Sequence, residues 1–356
     1  MNTKIKELLA MAVANKASDL HLSVSGLPKL RVNGELVDVS NFDISNPKLM
    51  TEMILSILSV EQTKRFEAEK ELDFSLTSDD ARYRVNMYYQ RGEVSCALRV
   101  VPSEIPTFKA LNIPDIFNNF AEYKQGFILL TGPTGHGKST TVASVLNKIN
   151  SDRRAHIVTI EDPIEYIIQP KQSIISQREL GNDTLGFAPA LKSVLRQDPN
   201  VVFVGEMRDL ETITSALTIA ETGHLVFSTL HTNSASQTVD RIIDVFPEGA
   251  KEQIKVQLAS VITAIVSQRL IPTIDGGRVP AFEILLATPA VKNSIREGKS
   301  FMLDNVIQTS SEMGMVGLET SLARLVHQGI VSEEVALSYS LRPSEFQSSL
   351  RSYKTI

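Results

Sequence analysis

One run constrains this chain more than any other: Gly132-Pro133-Thr134-Gly135-His136-Gly137-Lys138-Ser139, followed by Thr140. Glycine, four variable positions, then Gly-Lys-Ser is the pattern of a phosphate-cradling loop. At average residue usage, chance places it in roughly one chain in a hundred of this length. The context also fits: residues 127–130 are an apolar strand candidate and 140–149 a helix candidate. The physics requires that order, because glycines let backbone N–H groups turn inward around phosphates and the helix N-terminus adds positive potential. Lys138 is expected to meet the β- and γ-phosphates of ATP, and Ser139 to ligate Mg²⁺. Pro133, Thr134, Gly135, Gly137 and Thr140 complete the nucleotide cradle. His136 lies in it as a variable position without chemistry of its own.

Short apolar runs recur at 157–160, 201–204 and 225–227, with helical stretches between them. Buried parallel strands read this way, so the fold class is α/β, a doubly wound P-loop domain. Each run ends in a polar cluster. Glu161, Asp162 and Glu165 follow the first, Glu206, Arg208 and Asp209 the second, and Ser228, Thr229 and His231 the third. Ligands of open α/β sheets sit beyond the carboxyl ends of the strands, so these clusters should converge on the phosphates. Glu206, just past a strand, is the expected residue to orient or deprotonate the attacking water. Glu161 and Asp162 would hold Mg²⁺ or its waters. His231 is placed to sense the γ-phosphate or to bridge to a neighbour, and His224 to line the nucleotide.

Residues 82–89 and 94–101 look like a hairpin. If Arg91-Gly92 is its two-residue turn, counting back sets Arg84 opposite Arg99. Facing guanidiniums repel unless solvated or given an anion. They therefore suggest a phosphate clamp, acting as an arginine finger from another domain or subunit. Arg82 is a weaker third candidate.

Composition bounds the rest. A formal charge of −5 over 356 residues argues against a nucleic-acid partner. The single cysteine, Cys96, excludes an intrachain disulfide and a tetracysteine zinc module. No run approaches the ~20 apolar residues of a membrane span. Glu7 and Lys16 interrupt any leader at the start, so a cytoplasmic protein without direct membrane insertion is expected. Helical spacing at 3–15 and strand candidates at 20–24 and 30–39 give a mixed first domain, residues 1–101. Pro102, Pro106 and Pro114 punctuate an expected linker at 102–120. The ATPase domain covers 121–287. A helical region, 288–356, opens with a Thr288-Pro289 cap, stops first at Gly298, and continues through 316–328 and 333–340.

Taken together, the chain resembles the secretion-type hexameric ATPases, and among them the type IV pilus retraction (twitching motility) ATPases. The likeness rests on Ala17-Ser-Asp-Leu-His-Leu22, Arg84-Val-Asn86, the phosphate loop, Ile160-Glu-Asp-Pro-Ile-Glu165, Val204-Gly-Glu-Met-Arg-Asp-Leu-Glu-Thr212, Glu221-Thr-Gly-His-Leu-Val226 and Thr229-Leu-His-Thr-Asn233. The resemblance implies a PAS-like N-terminal domain, a RecA-like ATPase domain and a homohexamer with nucleotide between the domains. It also implies that Glu206 is catalytic and that Arg84 and Arg99 reach the nucleotide. The implied partners are an inner-membrane platform protein and a paralogous pilus ATPase, so the protein would sit peripherally at the inner membrane. Lack of the tetracysteine motif common in assembly and secretion members favours retraction. At Ala290-Val-Lys-Asn-Ser-Ile-Arg-Glu297, three positions differ from the family's Ala-Ile-Arg-Asn-Leu-Ile-Arg-Glu, and Lys292 lacks arginine's bidentate geometry. The alternatives are an assembly, secretion or DNA-translocating ATPase of the same superfamily, and a nonhydrolysing accessory subunit.

Overall fold

In the computed structural model, the four apolar runs become strands of one parallel sheet. The structure describes residues 1–24, 26–32, 34–40, 42, 47–78, 81–102 and 104–354. The chain divides into two units, Met1–Glu104 with Glu165–Ile167, and Ile105–Ile164 with Ile168–Ile356.

The first unit contains α1 (Thr3–Ala14), β1 (Asp19–Ser23), β2 (Lys29–Val32), β3 (Glu35–Asp38), α2 (Pro47–Leu55), α3 (Val60–Glu69), β4 (Glu71–Ser78), β5 (Ala81–Gln90) and β6 (Glu93–Val101). Its strands pair antiparallel in the order β3-β2-β1-β6-β5-β4. The single strand expected at 30–39 is a hairpin, β2 and β3, and Asn33 within it lies outside the described residues. Strand alternation in β5 buries Tyr83, Val85 and Met87, while Arg84 is exposed on the opposite face. Arg91 and Gly92 form the β5–β6 turn, both left-handed (φ 53° and 82°), as a two-residue type I′ hairpin needs. That turn fixes the register, Gln90 against Glu93 and Arg84 against Arg99.

The second unit contains α4 (Ile116–Glu122), β7 (Gly126–Thr131), α5 (Lys138–Asp152), β8 (His156–Glu161), β9 (Ile174–Glu179), α6 (Phe187–Val194), β10 (Val201–Val204), α7 (Leu210–Glu221), β11 (Leu225–Leu230), α8 (Ala235–Asp244), α9 (Glu248–Val261), β12 (Ile262–Pro272) and β13 (Arg278–Leu286). Five helices follow: α10 (Pro289–Arg296), α11 (Leu303–Thr309), α12 (Leu318–His327), α13 (Glu333–Tyr339) and α14 (Pro343–Lys354). The sheet order is β13-β12-β7-β11-β10-β8-β9, parallel except for β13. Its four central strands, β7, β11, β10 and β8, are mostly apolar because both faces are covered. One face carries Phe127, Leu129, Val202 and Val226 under α6–α9, and the other Ile128, Leu130, Phe203 and Phe227 under α4 and α5.

The expected linker at 102–120 is corrected. Phe117 and Phe120 are fully buried, Ile113 nearly so, and all three join the core beneath α5. The Pro106 carbonyl accepts from Ser144 Oγ at 2.6 Å. The chain turns at 108–112 between Pro106 and Pro114, and the aromatic side chains of α4 anchor it. The C-terminal helices begin as the caps indicate: Val291 N donates to Thr288 Oγ1 and Val335 N to Ser332 Oγ. The last three pack on the ends of β12 and β13 through Ile271, Val279, Ala281, Leu322 and Phe346. Among the described residues no helix is long and apolar enough to cross a membrane.

Candidate functional site

Strand β7 ends at Thr131, and the chain turns through Gly132, Gly135 and Gly137 (φ 137°, 78° and 80°) into α5. A side chain at Gly132 would strike the Gln268 carbonyl oxygen on β12, so only glycine fits. Helix α5 has no side-chain cap at Gly137, which leaves its first N–H groups to an anion. Ser139 has no side-chain hydrogen bond among the described residues, so its hydroxyl is available to a cation. Lys138, 7% exposed, folds back and donates to the carbonyls of Gly132 (2.7 Å) and Pro133 (3.0 Å). Burial pulls its ammonium down to about 8, against the attraction of the Glu206 carboxylate. A loop of inward N–H groups around a desolvated lysine fits a polyphosphate, whose charge would restore that of the lysine.

Strands β10 and β11 end beside this loop. His231 Nε2 lies 3.1 Å from Glu206 Oε1, and His231 Nδ1 lies 3.3 Å from both Lys138 Nζ and Thr134 Oγ1. His231 thus bridges the two, with Nε2 towards Glu206 and Nδ1 towards Lys138 and Thr134. Burial works to raise the Glu206 carboxyl. Arg208, at 2.8 Å, and His231 outweigh it and hold the group below the usual range. Glu206 is therefore an ionised acceptor, suited to orienting a water. The first residue of α5 and residues just past β11 and β10 thus form one chain, Lys138–His231–Glu206.

Glu161 ends β8 and is 7% exposed, accepting from Thr159 Oγ1 (2.6 Å) and Gln177 Nε2 (3.3 Å). Asp162 is exposed and precedes a cis peptide to Pro163. Among the described residues no three His, Cys, Asp or Glu side chains gather as a metal site. The described side chains do not by themselves cage a cation here, and the Ser139 hydroxyl is open to one.

Three expectations change. His224 precedes β11, at the amino end of the sheet, where its Nδ1 meets Thr222 Oγ1 and the Ile219 carbonyl. The phosphate loop follows the carboxyl end of β7, parallel to β11 and in register from Gly126 to Thr131. The six-residue strand separates them by about 17–20 Å, so His224 does not line the nucleotide loop of the same chain. His136, expected as a variable position, accepts at Nδ1 from Leu270 N (3.0 Å) and ties the loop to β12. Arg99 donates from Nε to Asp19 Oδ1 at 2.9 Å, so an internal carboxylate already offsets part of the Arg84–Arg99 repulsion. That repulsion therefore no longer argues for a phosphate clamp. Sequence reasoning also missed Gln268, 2% exposed, which accepts from Thr141 Oγ1 (2.8 Å) and donates to the His136 carbonyl (2.9 Å). Its signal was the polar run Ser267-Gln268-Arg269 between the apolar stretches Ala264–Val266 and Leu270–Ile271.

Comparison with known proteins agrees with this geometry. A family model described as type II/IV secretion system protein matches residues 1–329. The chain is 44% identical to the type IV pilus retraction ATPase PilT of Pseudomonas aeruginosa, over 96% of this chain and 99% of that protein. It is 47% identical to a twitching motility protein of Neisseria gonorrhoeae, over 87% of this chain and 83% of that one. A solved structure of the pilus retraction motor PilT with bound ADP superposes with a TM-score of 0.90 at 44% identity, covering 98% of this chain and 100% of that one.

Proposed function

The chain belongs to the type II/IV secretion system protein family, and on that premise we propose that it is the ATP-hydrolysing motor that withdraws a type IV pilus. The reading is carried by the Lys138–His231–Glu206 chain, which joins the phosphate loop to a carboxylate able to hold water. Lys138 releases the loop carbonyls and contacts the β- and γ-phosphates, and Ser139 would hold Mg²⁺, with Glu161 and Asp162 acting through its waters. A cation held there would offset the charge that develops on the phosphates. Ionised Glu206 orients the attacking water in line with the γ-phosphate. His231, between Glu206 and Lys138, registers whether that phosphate is present. Arg84, which makes no ion pair among the described residues, and Arg99, once released from Asp19, act as arginine fingers in a homohexamer.

Cycles of binding and hydrolysis then change the ring, which works on a platform protein at the inner membrane, alongside a paralogous ATPase. The similarity to PilT over nearly the whole chain supports retraction over assembly. The test is gene deletion complemented with wild-type or Glu206→Gln protein, followed by counting surface pili. Retraction predicts piliated, immotile cells in the deletion and in the variant. Bald cells would assign the protein to assembly.

A further inference from the structure

The loop that carries His231 is gripped from behind. After His231 the chain runs through Thr232 and Asn233 to Ser234, which caps α8 by accepting from Gln237 N. Two ionisable side chains of the β12–β13 hairpin, Arg269 and Glu283, hold this segment. Arg269 donates from one terminal nitrogen to Asn233 Oδ1 at 3.0 Å, and Ala235 N donates to Glu283 Oε1 at 2.7 Å. Both lie on the same sheet face, since Glu283 pairs with Ser267, two residues before Arg269. The other Arg269 terminal nitrogen reaches the Tyr339 carbonyl at the end of α13, 3.4 Å away. Just beyond, Glu319 of α12 accepts from the backbone N–H groups of Leu341 and Arg342. Arg269 Nε is buried with no hydrogen-bond partner. A buried N–H without a partner is costly, and an aliphatic residue could fill the same space without that cost.

We propose that Arg269 is a positioning residue for hydrolysis: through Asn233 it sets His231 against Glu206, and through Tyr339 it ties that setting to the C-terminal helices. The proposal rests on the reading of Glu206 and His231 as the hydrolytic site. Neighbouring β12 residues hold the loop from the other face, Gln268 through the His136 carbonyl and Leu270 N through the His136 ring. One strand thus touches both the nucleotide loop and the segment beyond its sensor.

The test is a double-mutant cycle in the full-length protein, with steady-state ATP turnover and ADP dissociation constants measured for each variant. Asn233→Ala and Arg269→Gln should each lower kcat about 10-fold and leave ADP affinity within about 2-fold, and the double variant should be no worse than either single one. A kcat loss of about 100-fold in the double variant, or ADP affinity falling in step with kcat, overturns the proposal. Should Arg269→Gln not fold, Asn233→Asp decides: it keeps the acceptor oxygen and should restore turnover that Asn233→Ala loses. Equal turnover in those two variants overturns the proposal. Unchanged turnover in His231→Ala would instead defeat the underlying site reading. Loss in His231→Ala with none in Asn233→Ala would defeat the positioning role alone.

Discussion

Replacing Glu283 with glutamine should remove a pH-dependent instability built into the second unit. Glu283 is 2% exposed, and its Oε1 accepts from Ala235 N at 2.7 Å. Burial pushes its carboxyl up from 4.5 to about 7. Asp304 of α11 and Glu319 of α12 add to the rise, while the Ala235 N–H and Arg342, between α13 and α14, oppose it. Arg269 on β12 is a further charge interacting with Glu283. The direction follows from proton counts. Between the unfolded value near 4.5 and the folded value near 7, the folded chain keeps a proton that the unfolded chain has lost. Stability therefore falls as pH rises through that window and levels off above it. A shift of about 2.5 units at 1.36 kcal/mol each gives ~3 kcal/mol. Glutamine keeps an acceptor for Ala235 N and cannot ionise. Wild type and Glu283→Gln should be of similar stability near pH 5, with the variant ahead by up to ~3 kcal/mol at about pH 8. Urea unfolding followed by circular dichroism at several pH values measures this. A difference between the two proteins that stays constant across the range would refute the assignment.

Other consequences are open to direct measurement. Burial pulls Lys138 down from its ordinary 10.5 to about 8, and phosphate oxygens should recharge it. ADP binding at about pH 9 should therefore take up a proton, seen as a binding enthalpy that varies with the buffer's ionisation enthalpy; no variation contradicts the picture. Phe117 is fully buried against Phe120 and Phe282, so Phe117→Ala should cost about 3–5 kcal/mol, where a tether would cost almost nothing. Gln268→Leu strands the Thr141 hydroxyl and the His136 carbonyl and should destabilise by about 1–3 kcal/mol in thermal unfolding, with weaker ADP binding.

What could be read ahead of the structure follows a physical pattern. The nucleotide loop was legible because backbone crowding leaves no alternative to glycine at positions such as Gly132. The parallel strands were legible because a strand covered on both faces must be apolar at every position. The Arg84–Arg99 register was legible because a two-residue turn fixes the count along both strands. Contacts between distant segments were not. Asp19 meets Arg99 across 80 residues, and nothing local to either announces the other. Strands β12 and β13 escaped notice because β12 continues directly from α9, without a turn residue between Val261 and Ile262. Gln268 and Arg269 also break the apolar run there. The linker was misread from its prolines, although Phe117 and Phe120, three residues apart, carried the spacing of a buried helix face. His224 carried its own warning: it precedes a strand, and residues preceding parallel strands lie at the end away from the ligand.

The central claim is that Glu206, held ionised beside His231 and Lys138, directs water at a nucleotide bound in the 132–140 loop. Steady-state phosphate release by purified Glu206→Gln, with ADP affinity measured on the same preparation, tests it most directly. The account predicts turnover lowered at least ~100-fold with ADP binding retained. Turnover equal to wild type would contradict it.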